Sequence, residues 1–182
     1  MAHQFTTSYL DDSLAIFHQY KMLAEKAFAQ LSDAQLTVQL DAESNSIAQI
    51  VKHMAGNMRS RWTDFLTADG EKSDRDRDSE FVAAPRNREE MLQLWEAGWA
   101  CLFGALEPLS DADLGHTVTI RGEPHSVMQA IQRQVAHYAL HIGQIVFIAK
   151  HLKSTEWISV SVPKNRSADF NARVAAGEAS QR

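Results

Sequence analysis

The sequence predicts an all-α fold, a four-helix bundle, on three observations. Four segments repeat apolar residues at three- and four-residue steps. The strong helix breakers fall between these segments or at their ends, and a long charged stretch separates the second from the third. The first segment runs from about Thr7 to Leu31, with Leu10, Leu14, Phe17, Ala24, Phe28 and Leu31 on one stripe and Asp11 and Asp12 in its first turn, where acidic groups suit the helix dipole. The second, about Ser46 to Thr67, carries Ile47, Ile50, Val51, Met54, Met58, Trp62, Phe65 and Leu66 and stops before Asp69-Gly70. The third, about Arg88 to Leu106, ends ahead of Pro108, which disfavours helix in the residue before it. The fourth, about Ser126 to Leu152, is the longest and most apolar, which suggests a central position.

Between the second and third segments lies DGEKSDRDRDSEFVAAPRN, whose charge density argues for a solvated crossover loop long enough to run along the bundle. After the fourth, WISVSVPKNRS alternates apolar and small polar residues up to Pro163, and SADFNARVA reads as a short helix capped by Ser167. An internal repeat runs through this order. LSDAQL at Leu31 to Leu36 returns as LSDADL at Leu109 to Leu114, each with a serine placed to cap a short turn. VQLDAESNSIAQ from Val38 then aligns without gaps on VTIRGEPHSVMQ from Val118. Each half therefore reads helix, capped turn, short extended loop, helix, and two such hairpins give a bundle with approximate twofold symmetry.

With 182 residues the chain fits one domain, 1–182, with a bundle over about 7–152 and a tail over 153–182. Eighteen basic against 23 acidic residues leave no electrostatic footprint for a nucleic acid. No apolar run approaches a membrane span, and the start MAHQFTTSYLDDS has neither the basic nor the apolar region of a signal peptide, so a cytoplasmic protein is expected. The single cysteine, Cys101, sits in WACLFGAL among apolar residues and reads as packing, not as a nucleophile.

The chemistry lies in the histidines. His137 and His141, in RQVAHYALHIGQ, are four apart and project from one helix face, a spacing that can chelate one metal. The pair sits in a strongly apolar helix, where imidazoles without partners are costly to bury, and His53 in IVKHMAGN adds a donor from another helix. Three imidazoles and a free position make an open site of the kind found in catalytic zinc centres. HYALH lacks the glutamate of a zinc-protease helix, and no paired Glu-x-x-His motifs point to a di-iron bundle.

The helix order, the lone histidine of IVKHMAGN and the paired histidines of VAHYALHIGQ resemble the DinB/YfiT-like superfamily of metal-binding four-helix bundles, over about Thr7 to Leu152. HMAGNMRSRWTDFLTADGEKSDRDRDSEF and the tail SVPKNRSADFNA are similar to an uncharacterised branch of it. The resemblance implies that His53, His137 and His141 bind one divalent metal, zinc or nickel, and that the reaction is open, since relatives include thiol transferases, isomerases and hydrolases.

The leading expectation is a metal-dependent S-transferase that activates a low-molecular-weight thiol against a small electrophile. Asn57 and Arg61 follow His53 by one and two helical turns and are candidates to bind a carboxylate. The alternative for Arg61 is an ion pair with Asp64 or Glu96. Arg133 and Gln134, before His137, and Gln144, after His141, are candidates to orient a ligand or to hydrogen-bond a metal-binding histidine. Trp62, Trp95 and Trp99 read as core, with a substrate pocket as the lesser reading, and His3, His18, His116, His125 and His151 receive no role. A non-catalytic, dimeric metal-binding or stress-response module stands as the alternative from another class. Metal-assisted hydrolysis ranks lower because no carboxylate lies at a helical offset from the histidine pair.

Overall fold

The computed structural model describes residues 7–180; residues 1–6, which include His3 and the first six residues of the opening MAHQFTTSYLDDS, and residues 181–182 lie outside it. The described chain is mostly helical. In α1 (Tyr9–Phe28) the Ser8 side chain accepts from Asp11 N and so starts the helix, and Leu10, Phe17, Ala24 and Phe28 form its buried stripe. The short α2 (Asp33–Leu36) opens with a capping box between Ser32 and Gln35. A second capping box, Ser46 with Gln49, opens α3 (Ile47–Trp62). This helix ends five residues before the expected Thr67, because the chain leaves helical geometry at Thr63 and Asp64 takes a positive φ of 49°.

Next comes α4 (Ser79–Val82), a single turn inside the charged segment, and then α5 (Arg88–Leu106), with the bounds its periodicity gives. A 3₁₀ turn follows at Asp111–Gly115, where Asp113 accepts from Ser110 N and Oγ. The expected short extended loop of the second half is a two-stranded antiparallel hairpin, β1 (Thr117–Ile120) against β2 (Glu123–Ser126). Its turn is Arg121-Gly122, both at positive φ, the backbone that matches the twist of a tight hairpin. The first half has no such strands at residues 38–46, so the two halves differ there.

The long α6 (Val127–Lys153) starts from a third capping box, Ser126 with Gln129. Thus the serine and glutamine shared by the two aligned segments do the same job in each, fixing where a histidine-bearing helix begins. The alternating WISVSV stretch forms no strand, and α7 (Ser167–Ala175) has Arg166 at its cap position with no side-chain cap, so Ser167 does not cap it as expected.

The four long helices enclose one apolar cluster: α1 packs on α6, α3 on α5, and α3 also on α6. Trp62, Trp95 and Trp99 are all buried in it and are core. Burial of each large side chain of this kind contributes roughly 1.5–3 kcal/mol. Phe17, Trp99 and Tyr138 meet at ring distances of 5.8 to 6.3 Å and join α1, α5 and α6 behind the histidines. No helix among the described residues is long and apolar enough to cross a membrane.

Candidate metal centre

Gln49, Lys52 and His53, spaced with Gly56 to share one face of α3, grip the segment that follows it. Gln49 Nε2 donates to Phe81 O at 2.8 Å, and Lys52 Nζ donates to Ser79 O at 2.7 Å and Ala83 O at 3.0 Å, which holds α4 against α3. Phe81 then lies on the His53 ring, centroids 4.6 Å apart. Glu80 reaches past Gly56 to His53 Nδ1, with Oε2 2.8 Å away. A β-carbon at position 56 would stand 2.2 Å from Glu80 Oε1, so only glycine leaves room for this carboxylate. Arg75 grips the same group from behind, Nε to Oε1 at 2.9 Å and Nη2 to Oε2 at 3.0 Å, and its Nη1 donates to Glu71.

The crossover segment is therefore not wholly solvated. Glu80 is buried and the Arg75 side chain is 6% exposed. Burial opposes ionisation of Glu80, but hydrogen bonds from His53 and Arg75 outweigh it and hold the carboxyl below its usual range. The anionic Glu80 accepts the Nδ1 proton of His53, and the Nε2 lone pair is left facing the interior.

On α6, His141 Nδ1 lies 2.8 Å from Gln144 Oε1, and its Nε2 stands 3.1 Å from His137 Nε2. The His53 ring lies 4.9 Å from that of His141 and 5.6 Å from that of His137, near perpendicular to both. One ring nitrogen from each of the three histidines falls within 4.8 Å of the others. Nitrogens bound to one small cation at about 2.0–2.1 Å sit roughly 3–4 Å from each other, so the cluster fits a metal after small ring rotations. His137 Nδ1 is buried without a partner among the described residues, so in the neutral ring the proton belongs on Nε2, donated to His141; a cation would take that proton's place. Burial, then the neighbouring His141 and His53, push the His137 pKa down to about 3, and burial also lowers that of His141. Both rings are neutral donors at pH 7.

A family model described as a protein of unknown function, DUF1572, matches residues 4–166. The chain belongs to the DUF1572 family. No curated protein and no solved structure matches it.

In this DUF1572 chain the three histidines singled out by sequence come together, but the other candidates divide. Asn57 and Gln134 meet each other: Gln134 Nε2 donates to Asn57 Oδ1 at 2.6 Å and to Tyr138 Oη at 3.2 Å, and Tyr138 Oη donates to Asn57 Oδ1 at 3.1 Å. Trp62 Nε1 donates to the same phenol, whose pKa burial pushes up, so it stays protonated. Arg133 is exposed one turn before His137. Arg61 is buried and pairs with neither Asp64 nor Glu96; its ion-pair partner is Glu71, at 4.0 Å. Gln144 does bond a histidine of the cluster. His125 lies at the hairpin, with Nδ1 3.0 Å from Glu123 O, outside the cluster.

Sequence reasoning missed Glu80 and Arg75. Their signal was Glu80-Phe81-Val82, an apolar pair in a charged run, opposite a helix face with glycine at position 56. His53 is buried, and His137 and His141 are only partly buried. A groove of about 900 Å³ between α1 and the tail, lined by Met22, Leu23, Val162 and Phe170, includes none of the three histidines.

Proposed function

We propose that this protein is a metal-dependent thiol S-transferase of the DinB/YfiT-like type, a single four-helix-bundle domain with approximately twofold-related hairpins. The observation that carries the reading is a three-imidazole cluster with no fourth ligand among the described residues, two of its members only partly buried and two of its rings already held at Nδ1. Closed four-ligand sites serve structure; three protein ligands leave a position for a reacting molecule. His53, His137 and His141 would hold one divalent ion, zinc or nickel, and when bound such an ion lowers the pKa of a thiol or water at its free position. Glu80, braced by Arg75, orients His53, and Gln144 orients His141. The packed layer of Phe17, Trp99 and Tyr138 closes off water from behind. In the transfer the thiol proton passes to solvent, sulfur forms the new bond to the electrophilic carbon, and the leaving group departs with its electron pair. Asn57, Gln134 and Arg133 would shape the wall beside the reacting atoms.

Hydrolysis ranks below thiol transfer because the buried carboxylate nearest the histidines, Glu80, is committed to His53 and Arg75 and is not free as a general base. One observation favours the non-catalytic, dimeric reading. Leu140 and Phe147, 61% and 65% exposed, lie on α6 next to the histidine pair and would suit a homodimer face. A cytoplasmic location fits a metal-and-thiol chemistry and belongs to the same proposal. The test is elemental analysis of untagged protein beside a His141→Ala variant, followed by thiol conjugation to a model electrophile. About one metal per chain, lost in the variant and required for turnover, is the expected result. Metal without turnover moves the reading to the dimeric module, and protein that takes up no metal on reconstitution overturns it.

A further inference from the structure

The guanidinium of Arg61 makes no hydrogen bond to any described residue, although the residue is only 4% exposed. Its Nε and Nη1 are buried without partners. Glu71 Oε2, 4.0 Å from Nη2, is beyond hydrogen-bond reach and is already shared with Arg75 at 3.2 Å and Arg121 at 3.5 Å. One turn earlier on α3, Asn57 Oδ1 already accepts from Gln134 Nε2 and Tyr138 Oη. A buried cation with free donors is costly to keep and is a common mark of a binding site for an anion.

Arg61 lies eight residues after His53 on α3, about 12 Å along the helix axis, and its side chain leans back toward the helix N-terminus. It stands one turn after Asn57, whose Oδ1 meets Gln134 and Tyr138 of the histidine-bearing α6. The surroundings also limit the shape of the anion. A β-carbon on Gly70 would stand 2.7 Å from Arg61 Nη1 and 3.2 Å from its Cδ, so Gly70 packs against that edge of the side chain and the Nε/Nη2 edge is the one left for an anion. On that edge the Nε–H and an Nη2–H lie parallel in one plane and match the two oxygens of a carboxylate.

We infer that Arg61 anchors a carboxylate of the molecule that reacts at the three-histidine centre, so that the substrate or co-substrate is a small carboxylic acid with its reactive atom a few bonds from the carboxylate. The position of the reacting end rests on the metal-centre reading above; the anchor rests on the surroundings of Arg61 alone. In the bound state the carboxylate accepts from Nε and Nη2 of Arg61, and the chain between the two ends runs past the Asn57–Gln134–Tyr138 wall.

The test has two arms. In the metal-free protein, butyrate raises the thermal midpoint and butyramide does not, and Arg61→Met removes the butyrate response. In zinc-loaded protein, 4-mercaptobutyrate binds about tenfold more tightly than 4-mercaptobutanol, a ratio that falls to about one in Arg61→Met while zinc content is unchanged. Equal effects of butyrate and butyramide on the wild type, or a butyrate response that survives in Arg61→Met, overturn the inference. If zinc does not load, the metal centre falls and the butyrate arm still decides Arg61. Should Arg61→Met fail to fold, Arg61→Lys keeps the charge without the fork; loss of most of the preference supports the anchor, and full retention overturns it.

Discussion

The two helices that carry the histidines hold them in opposite ways. His53 on α3 is buried, covered by Phe81 and hydrogen-bonded to a carboxylate that Arg75 braces in turn. His137 and His141 on α6 are partly exposed and meet each other through Nε2, and only His141 is also held at Nδ1, by an amide. The α3 side is a fixed post, built across 27 residues of sequence separation, and the α6 side is a local pair that gains its geometry from helix spacing alone. Rigidity from a distant segment and adjustability from a neighbouring turn are thus combined around one point, and each can be tested against the other.

The largest expected effect is loss of stoichiometric metal in His53→Ala as well as in His141→Ala, read by elemental analysis; retention by either variant would show that the two sides do not act together. Next, Glu80→Gln weakens metal binding by about 10- to 100-fold, the usual result of losing a carboxylate behind a ligating histidine, whereas Gln144→Ala has a smaller effect because water can replace the amide. Competition with a chelating dye measures both, and equal losses would erase the distinction between post and pair. In stability, Arg75→Met leaves Glu80 without its buried counter-charge and costs roughly 3 kcal/mol in urea unfolding. The smallest effect concerns pH. The His137 pKa is about 3 in the folded chain against an ordinary 6.5, so the unfolded chain binds more protons between these values. Metal-free protein should lose stability as pH falls from about 6.5 toward 3, by on the order of 1 kcal/mol after allowance for solvent screening, and His137→Gln should flatten that slope.

The helices and the histidine trio were legible because both are local patterns. Three- and four-residue spacing fixed one face for each of α1, α3, α5 and α6, and the Ser46/Gln49 and Ser126/Gln129 matches marked where the two histidine-bearing helices begin. The backing of His53 was not legible, because its members sit in a run of alternating charges that by composition belongs in water. Pairing made the difference: Glu80 and Arg75 go inside together, each meeting the other's charge, which no count of charged residues reveals. The hairpin was missed for a similar reason. Its strands are four residues each and its turn is Arg-Gly, without the asparagine or aspartate that usually announces such a turn. Beyond the turn, Asp69 accepts from Arg121 N and Gly122 N, so a residue fifty positions earlier completes it.

That same charged segment makes the chain its own reporter for proteolysis. Lys72, Arg75, Arg77 and Arg86 are all trypsin sites, yet the Arg75 side chain is 6% exposed while those of Arg77 and Arg86 are 51% and 87% exposed. Cleavage should begin after Arg77 or Arg86 and reach Arg75 only when the contact behind His53 opens. The order in which these bonds are cut therefore records, without any probe of the metal, whether the α3 side of the centre is assembled.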